Sequence, residues 1–435
     1  MNARTDLMLI RRSAAAVAIV ASLACAPQVE RVKQSSSSRD RCLDVLPGGS
    51  LVRDSMARMI FLSPDLLVEN GRSSLLLGRF AYAFSDKTSH AGGPAVHVDS
   101  IGGVLLDGAN LSAVLPAMPI SSAWPASAVA IGPDRWQVVF IDPLDTSDSL
   151  SVPRVLNRSQ VYLVALQSRR WGAVRAIGTI DYLLGDVTKS TSVALESDGS
   201  LLIAMSFSTP FPRRNSIRRV HSGVQLTYVR SAGVNVDTLV TPFRLDKIRL
   251  AATRGASSRL AVVAQSLVAQ PTGGAPVVAV TAFDLDGRAR RLFEPSEASL
   301  REVQIAEDDE TRWLVALTDP GGRLLLGELA PELDTLLSYR TLASGIEEFD
   351  FVARGSTGKA LLSRTQGGAA PLELRLLSGE RERTIAISES DETVGPDPRI
   401  RFIDDSTMLI VSTAIRGPSY RIPAGLRLTQ ARIRC

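Results

Sequence analysis

Seven times along this chain, two apolar residues separated by one position precede a short polar turn, and the turn precedes a run of three or four apolar residues. Such a unit reads as a β-hairpin, because period-two alternation marks a strand and a short apolar run bounded by turn residues marks a strand packed on both faces. The leading pairs are Met59 and Phe61, Val129 and Ile131, Val193 and Leu195, Ile248 and Leu250, Val303 and Ile305, Phe349 and Phe351, and Ile400 and Phe402, at spacings of 70, 64, 55, 55, 46 and 51 residues. This recurrence constrains the fold more than length does. A chain of 435 residues suggests about three domains, whereas a repeat architecture builds one continuous structure from stacked units.

The turns carry suitable chemistry: Gly132-Pro133-Asp134 in the second unit, Asp198-Gly199 in the third, Gly255 in the fourth and Asp404-Asp405 in the seventh. Gly and Asp accept the φ values that tight hairpins require. A second pair of apolar runs follows each hairpin, as in VYLVAL with AVRAI, so each unit holds about four strands. No segment sustains a 3.6-residue apolar period beyond a turn or two, and few helices are expected. The fold class is therefore all-β, a seven-bladed β-propeller with four-stranded blades; two or three β-sandwich domains are the alternative. The hairpins GPDRWQVVF and ESDGSLLIA resemble those of TolB-like and WD40-like exported propellers. That resemblance touches the hairpins alone. It implies the propeller fold, and such families include both binding scaffolds and enzymes.

Arg11 and Arg12 lead into Ser13 to Ala24, where every residue is apolar or small, as in the charged and apolar regions of a signal peptide. The run is too short to span a bilayer, which takes about 18 residues or more. Ser22-Leu23-Ala24-Cys25 resembles a bacterial lipobox, although the leucine falls two residues before the cysteine where that pattern usually puts it three before. The expected organisation is a signal peptide over 1–24, a lipid on Cys25, a polar tether over 25–41 and one propeller domain over 42–435. The protein is expected at the outer membrane or cell surface, or as a periplasmic or secreted protein without the lipid. Export places Cys42 and Cys435 where disulfides persist, and they stand at the two ends of the folded region. The seventh unit is one strand short, and residues 43–52 are the candidate for the missing outer strand. A Cys42–Cys435 disulfide then closes the propeller.

The formal charge is +4, and removal of residues 1–24 takes away Arg4, Arg11, Arg12 and Asp6 to leave +2. So small a balance implies no nucleic-acid partner. His90, His97 and His221 are the only histidines, and none stands in a metal-ligand motif. No catalytic residue, metal site or cofactor is called. Ala353 to Ala360 carries the glycine-lysine end of a phosphate loop but lacks the Ser or Thr after the lysine and lies between strand-like runs, so it reads as a hairpin turn. Asp142, Asp145 and Asp148, and the block Glu307 to Glu310, do not follow the order of a calcium loop and read as solvated loops. Arg213, Arg214, Arg218 and Arg219 fall within seven residues and form the candidate ligand or anion site, since grouped guanidinium ions hold phosphate, carboxylate or an anionic surface. Long connections between second and third strands are expected at Ser85 to Pro94, Asp142 to Gln160, Thr209 to Ser222 and Ser266 to Pro276. The functional reading is an exported, lipid-anchored monomer that binds a protein or cell-envelope ligand through loops at one end. The alternative is a hydrolase or lyase with acidic residues in the central funnel.

Overall fold

In the computed structural model the chain divides into two units, Met1–Arg41 and Cys42–Cys435. The described residues all fall within 43–434 and comprise the strands below with several of their turns. Every regular element among them is a β-strand, and none is a helix long and apolar enough to cross a membrane. The signal segment and the tether lie outside the described residues.

Two short strands come first, β1 (Leu43–Val45) and β2 (Ser50–Val52). Six antiparallel sheets follow in chain order. The first holds β3 (Met59–Asn70), β4 (Ser73–Phe84), β5 (Ala95–Asp107) and β6 (Asn110–Val114). The second holds β7 (Ser127–Gly132), β8 (Arg135–Pro143) and β9 (Leu156–Gln167), with β10 (Arg170–Trp171) and β11 (Arg175–Leu183) sharing the outer edge of β9. The third holds β12 (Thr191–Leu195), β13 (Leu201–Pro210), β14 (Val220–Arg230) and β15 (Gly233–Val240). The fourth holds β16 (Leu250–Arg254), β17 (Leu260–Val268), β18 (Val277–Phe283) and β19 (Ala289–Phe293). The fifth holds β20 (Glu302–Glu307), β21 (Trp313–Thr318), β22 (Leu324–Leu329) and β23 (Leu336–Ala343). The sixth holds β24 (Ile346–Arg354), β25 (Gly358–Thr365), β26 (Glu373–Ser378) and β27 (Arg381–Ala386).

The seventh sheet draws on both ends of this unit. β28 (Thr393–Val394) and β29 (Arg399–Phe402) pair with one edge of β30 (Thr407–Ile415), and β30 pairs with β31 (Pro423–Ile433). The free edge of β31 takes β1, with Leu43 opposite Ile433 and Val45 opposite Ala431, and then β2, with Leu51 opposite Arg427.

Alternation and turn chemistry account for this layout. Each leading apolar pair falls in the first strand of its sheet, apart from Ile248, which lies outside the described residues. In the second sheet Gly132 pairs with Arg135 across Pro133 and Asp134; proline fixes its own φ and Asp134 takes a φ of 50°. Gly322, between β21 and β22, has a φ of 75°, and a Cβ there would meet the Ile346 carbonyl oxygen at 2.9 Å. Its own carbonyl accepts from the Ile346 N–H at 2.8 Å, so only glycine allows the fifth sheet this approach to the sixth.

Three of the four long connections are shorter than expected from sequence. Asp142 and Pro143 pair with Gln160 and Ser159, Thr209 and Pro210 with His221 and Val220, and β17 runs on to Val268 opposite Val277. Backbone donors and acceptors beyond the apolar runs still need partners, and continuing the ladder supplies them. The remaining connections are 85–94, 144–155, 211–219 and 269–276.

The first strand of each sheet lies against the first strand of the next: β3 against β7, β7 against β12, β12 against β16, β16 against β20, β20 against β24, and β24 against β29. β29 in turn lies against β3. Apolar side chains fill the spaces between neighbouring sheets. Leu75, Leu77 and Leu105 of the first meet Trp136, Val138 and Phe140 of the second. Val139, Ile141 and Val161 of the second meet Leu201, Ile203 and Met205 of the third. Leu67, Leu76 and Leu106 of the first also meet Leu409, Val411 and Leu428 of the seventh. Each fully buried Leu, Val or Phe contributes roughly 1.5–3 kcal/mol relative to exposure, so these contacts hold the sheets side by side.

Candidate functional site

The first strands of the fifth, sixth, seventh and first sheets carry a connected series of polar side chains. Gln304 on β20 reaches the next sheet, donating through Nε2 to the Phe349 carbonyl at 3.2 Å and accepting the Phe351 N–H on Oε1 at 2.7 Å. Those two contacts bracket Asp350 on β24. Asp350, only 3% exposed at its side chain, repeats the pattern one sheet on: Oδ2 accepts from the Ile400 N–H at 2.8 Å and from Arg401 Nη1 at 2.7 Å. Arg401 Nη1 also donates to the Ile400 carbonyl. A carboxylate held by a backbone N–H and a guanidinium satisfies the requirement that a buried charge be paired and hydrogen-bonded.

Glu69, near the end of β3, ends the series. Burial raises its affinity for a proton above the ordinary carboxylate range, and the positive charges of Arg354 and Arg401 oppose that rise without cancelling it. Its Oε2 is buried with no hydrogen-bond partner among the described residues. Arg354 closes β24, donates from Nη1 to the Phe402 carbonyl at 3.4 Å and places Nε 3.4 Å from Asp405 Oδ1. Three sheets thus bring one carboxyl of raised proton affinity and two guanidinium groups to the end of the molecule where first strands turn into second strands. Chemically, the arrangement suits proton donation by Glu69 or the holding of an anion by the arginines.

Other carboxylates serve as ties. Glu348 on β24 meets Arg364 in a two-pronged ion pair, Oε1 to Nη2 at 3.0 Å and Oε2 to Nε at 3.1 Å, and Oε2 also accepts the Asp397 N–H at 2.7 Å. At two hairpins an aspartate accepts from the turn that follows it. Asp198 takes the Ser200 hydroxyl at 2.5 Å and its N–H at 2.9 Å, and Asp404 takes the N–H groups of Ser406 and Thr407 at 2.8 and 2.7 Å. The serine hydroxyl and N–H bonds hold Asp198 below the usual carboxylate range. Partial burial works against ionisation of Asp404, but the hydrogen bonds from Ser406 and Thr407 outweigh it and its proton affinity is also lowered.

Arg213, Arg214, Arg218 and Arg219 lie outside the described residues, in the 211–219 connection bracketed by the Pro210–Val220 pair of β13 and β14. Cys25, Cys42, Cys435 and His90 also lie outside them, while His97 and His221 stand in the ladders opposite Tyr82 and Thr209. Asp142 is a strand residue paired with Gln160, and Glu307 is one paired with Trp313, so neither belongs to a loop; Asp145, Asp148 and 308–310 lie outside the described residues. The phosphate-loop-like segment joins two antiparallel strands, with Ala353 opposite Lys359 and Arg354 opposite Gly358. Among the described residues no group of three or more His, Cys, Asp or Glu could hold a metal ion.

Sequence reading singled out none of Glu69, Gln304, Asp350 and Arg401. The one signal was position: Gln304, Asp350 and Arg401 each stand between the two members of a leading apolar pair.

No family model matches the sequence, and no curated protein matches it. Among solved structures the chain is similar to a protein of unknown function from Dyadobacter fermentans, at a TM-score of 0.48 and 10% identity over 89% of this chain and 100% of that one. It is also similar to an ulvan lyase representing a new family of polysaccharide lyase, at 0.46 and 9% over 86% and 92%. A third likeness is to the NanB sialidase from Streptococcus pneumoniae, at 0.44 and 8% over 83% of each chain. At such identities these likenesses assign no substrate, reaction or site residue to this chain.

Proposed function

We propose that the chain is an exported seven-bladed β-propeller, anchored by lipid on Cys25, that binds a protein or cell-envelope ligand at one end of its disc. The closed succession of first-strand contacts and the pairing of β1 and β2 with β31 support the propeller, with the N-terminal strands completing the last blade. One observation carries the binding reading: in four consecutive sheets the longest connection between strands of the same sheet, 85–94, 144–155, 211–219 and 269–276, leaves from the end where second strands lead into third strands. Connections of that length on a rigid scaffold are the usual seat of recognition. The 211–219 connection carries Arg213, Arg214, Arg218 and Arg219, whose charge suits an anionic group on the ligand. The test is capture from solubilised envelopes, with the four arginines changed together to Ser. Binding of a discrete partner that the variant loses, at an unchanged Tm, supports the reading; equal capture by both chains removes the basic connection from it.

A hydrolase or lyase is the second reading, and Glu69 is the observation that favours it, as a carboxyl whose proton affinity burial raises beside two arginines from other sheets. It stands at the opposite end from the long connections. Release of new reducing ends from a panel of neutral and acidic polysaccharides, abolished in Glu69→Gln, would install this reading in place of the first.

A further inference from the structure

We propose that the cleft between the outer strands of the second and third sheets binds an acidic, aliphatic peptide segment of a partner protein, which lies as an added strand along β15. The register identifies what lines it. On the second sheet Arg135, Gln167 and Arg170 stand opposite one another in one row, and Val139, Leu163 and Arg175 in another. Val139 and Leu163 pack against the third sheet, so both rows face it. On the third sheet Val236 shares a row with Ile203 and Thr227, and Ile203 faces back toward the second.

The inner part of this space is closed by apolar packing, and its outer part is not. Val236, on the outer strand, is 54% exposed, more than any other large apolar side chain among the described residues. Between the first and second sheets the corresponding position is sealed: Trp171 sits opposite Leu166 in that apolar core, and Val174 packs there too. The bulky residues of the split outer strand thus face the first sheet, and Arg170 and Arg175 face the third. These two and Arg135 are exposed and make no hydrogen bond or ion pair among the described residues, whereas Arg364, Arg375 and Arg401 on the sixth and seventh sheets each meet a carboxylate. Among the described residues neither wall of the space carries a carboxylate, and Gln137 Oε1, on the same face as Arg135, is buried without a partner. An open apolar side chain beside three uncompensated cations suits a ligand with both apolar and anionic groups.

A polypeptide is the ligand that also matches the backbone. β15 is the last strand of its sheet, and among the described residues nothing pairs with its outer edge, which leaves a row of N–H and C=O groups open. A strand added there sends every second side chain toward the second sheet. Arg170 and Arg175 stand opposite Gln167 and Leu163, four positions apart on β9, which is about 13 Å along the strand. Two carboxylates four residues apart on the added strand have the same spacing, and an aliphatic residue midway between them is the complement of Val236. The proposal uses no residue of the 211–219 connection and needs neither export nor lipid.

The probe is the fluorescein-labelled peptide Thr-Glu-Thr-Val-Thr-Glu-Thr, titrated with the full-length chain and read by anisotropy. Saturable binding below about 1 mM is expected, against none for the same peptide with lysine in place of glutamate. Arg170→Ser combined with Arg175→Ser should weaken binding about tenfold at an unchanged Tm, since both side chains are exposed. Val236→Asp should weaken it too. N-methylation of one alternating set of peptide residues should abolish binding and of the other set leave it, because only one set turns its N–H groups to β15. No saturation, equal binding of the lysine peptide, equal binding by the double arginine variant or indifference to N-methylation of either set overturns the proposal. Uptake of dodecanoate in place of the peptide, or a dimer that the double variant loses, gives the cleft another occupant and overturns it as well. The chain with Arg213, Arg214, Arg218 and Arg219 changed to Ser should bind the peptide as the parent does, so the long connections can fail as a ligand surface without touching this result; loss of binding in that chain counts against the cleft.

Discussion

The spaces on either side of the second sheet and those on either side of the sixth are filled by different means. Between the first, second and third sheets the middle of the strands is apolar, with Trp136, Phe140, Ile203 and Met205 buried there. Polar contacts between the first two sheets sit toward the hairpins and edges, as in Asn70 Nδ2 to the Gly132 carbonyl at 2.5 Å and Trp171 Nε1 to the Pro116 carbonyl at 2.9 Å. From the fifth sheet to the seventh, Gln304 and Asp350 instead insert hydrogen bonds into mid-strand, level with the apolar contacts. Apolar packing is strong but indifferent to small sliding, whereas a carboxylate aimed at one N–H sets the height of one sheet against the next. The directional ties lead up to the seventh sheet, which is assembled from distant parts of the chain and whose register local sequence cannot set.

That contrast predicts an ordered set of losses. Trp136→Ala empties the largest side chain from the first two sheets' contact and should cost about 3–5 kcal/mol in chemical denaturation, with no compensation from a polar partner. A cost under about 1 kcal/mol would mean that the apolar contact is not what holds those sheets. Asp350→Ala leaves the Ile400 N–H and Arg401 without their acceptor and should cost about 2–4 kcal/mol, reduced from the fully buried case because Arg401 is 24% exposed. Asp350→Asn keeps an acceptor for Ile400 and should recover much of that loss. If Asn is as damaging as Ala, the charge pair with Arg401 outweighs the directional tie.

The smallest effect is at Glu69, and it depends on pH. Its proton affinity is raised in the folded state, so the stability it contributes is fully present below its unfolded pKa and is lost as pH rises through the folded value. Glu69→Gln cannot ionise, so the variant should gain Tm relative to the parent as pH is raised from 4 to 8. A difference that stays flat with pH would show that folding does not shift the titration of Glu69. Asp198 and Asp404 have the opposite sign, contributing stability that is lost as pH falls through their lowered folded values.

The strands were legible because alternation survives wherever one strand starts a sheet: Val129 with Ile131 and Ile400 with Phe402 identify β7 and β29 without help. Turns were legible where Gly or Asp must take positive φ, as at Asp134 and Gly199. The first sheet was read early; its turn comes at Gly71, and the pair in phase with Val129 and Ile131 is Leu67 and Glu69, beyond Met59 and Phe61. The polar series was illegible for a physical reason. In a single sheet a polar residue between two apolar ones faces water, but a sheet enclosed by neighbours has no such face, and Gln304 and Asp350 face the next sheet. Alternation reports which residues share a side and does not report what that side meets.

The joining of β1 and β2 to β31 also orders events in time. A ribosome delivers Leu43 long before Pro423, so the earliest strands must wait through the synthesis of nearly every other one before their partner exists. Contacts so distant in sequence form late and slowly. Until then β1, β2 and β30 each present an open edge, the kind of surface that recruits foreign strands. A product halted before Pro423 would keep those edges for good, so the union of β1 and β2 with β31 reports whether translation passed that strand.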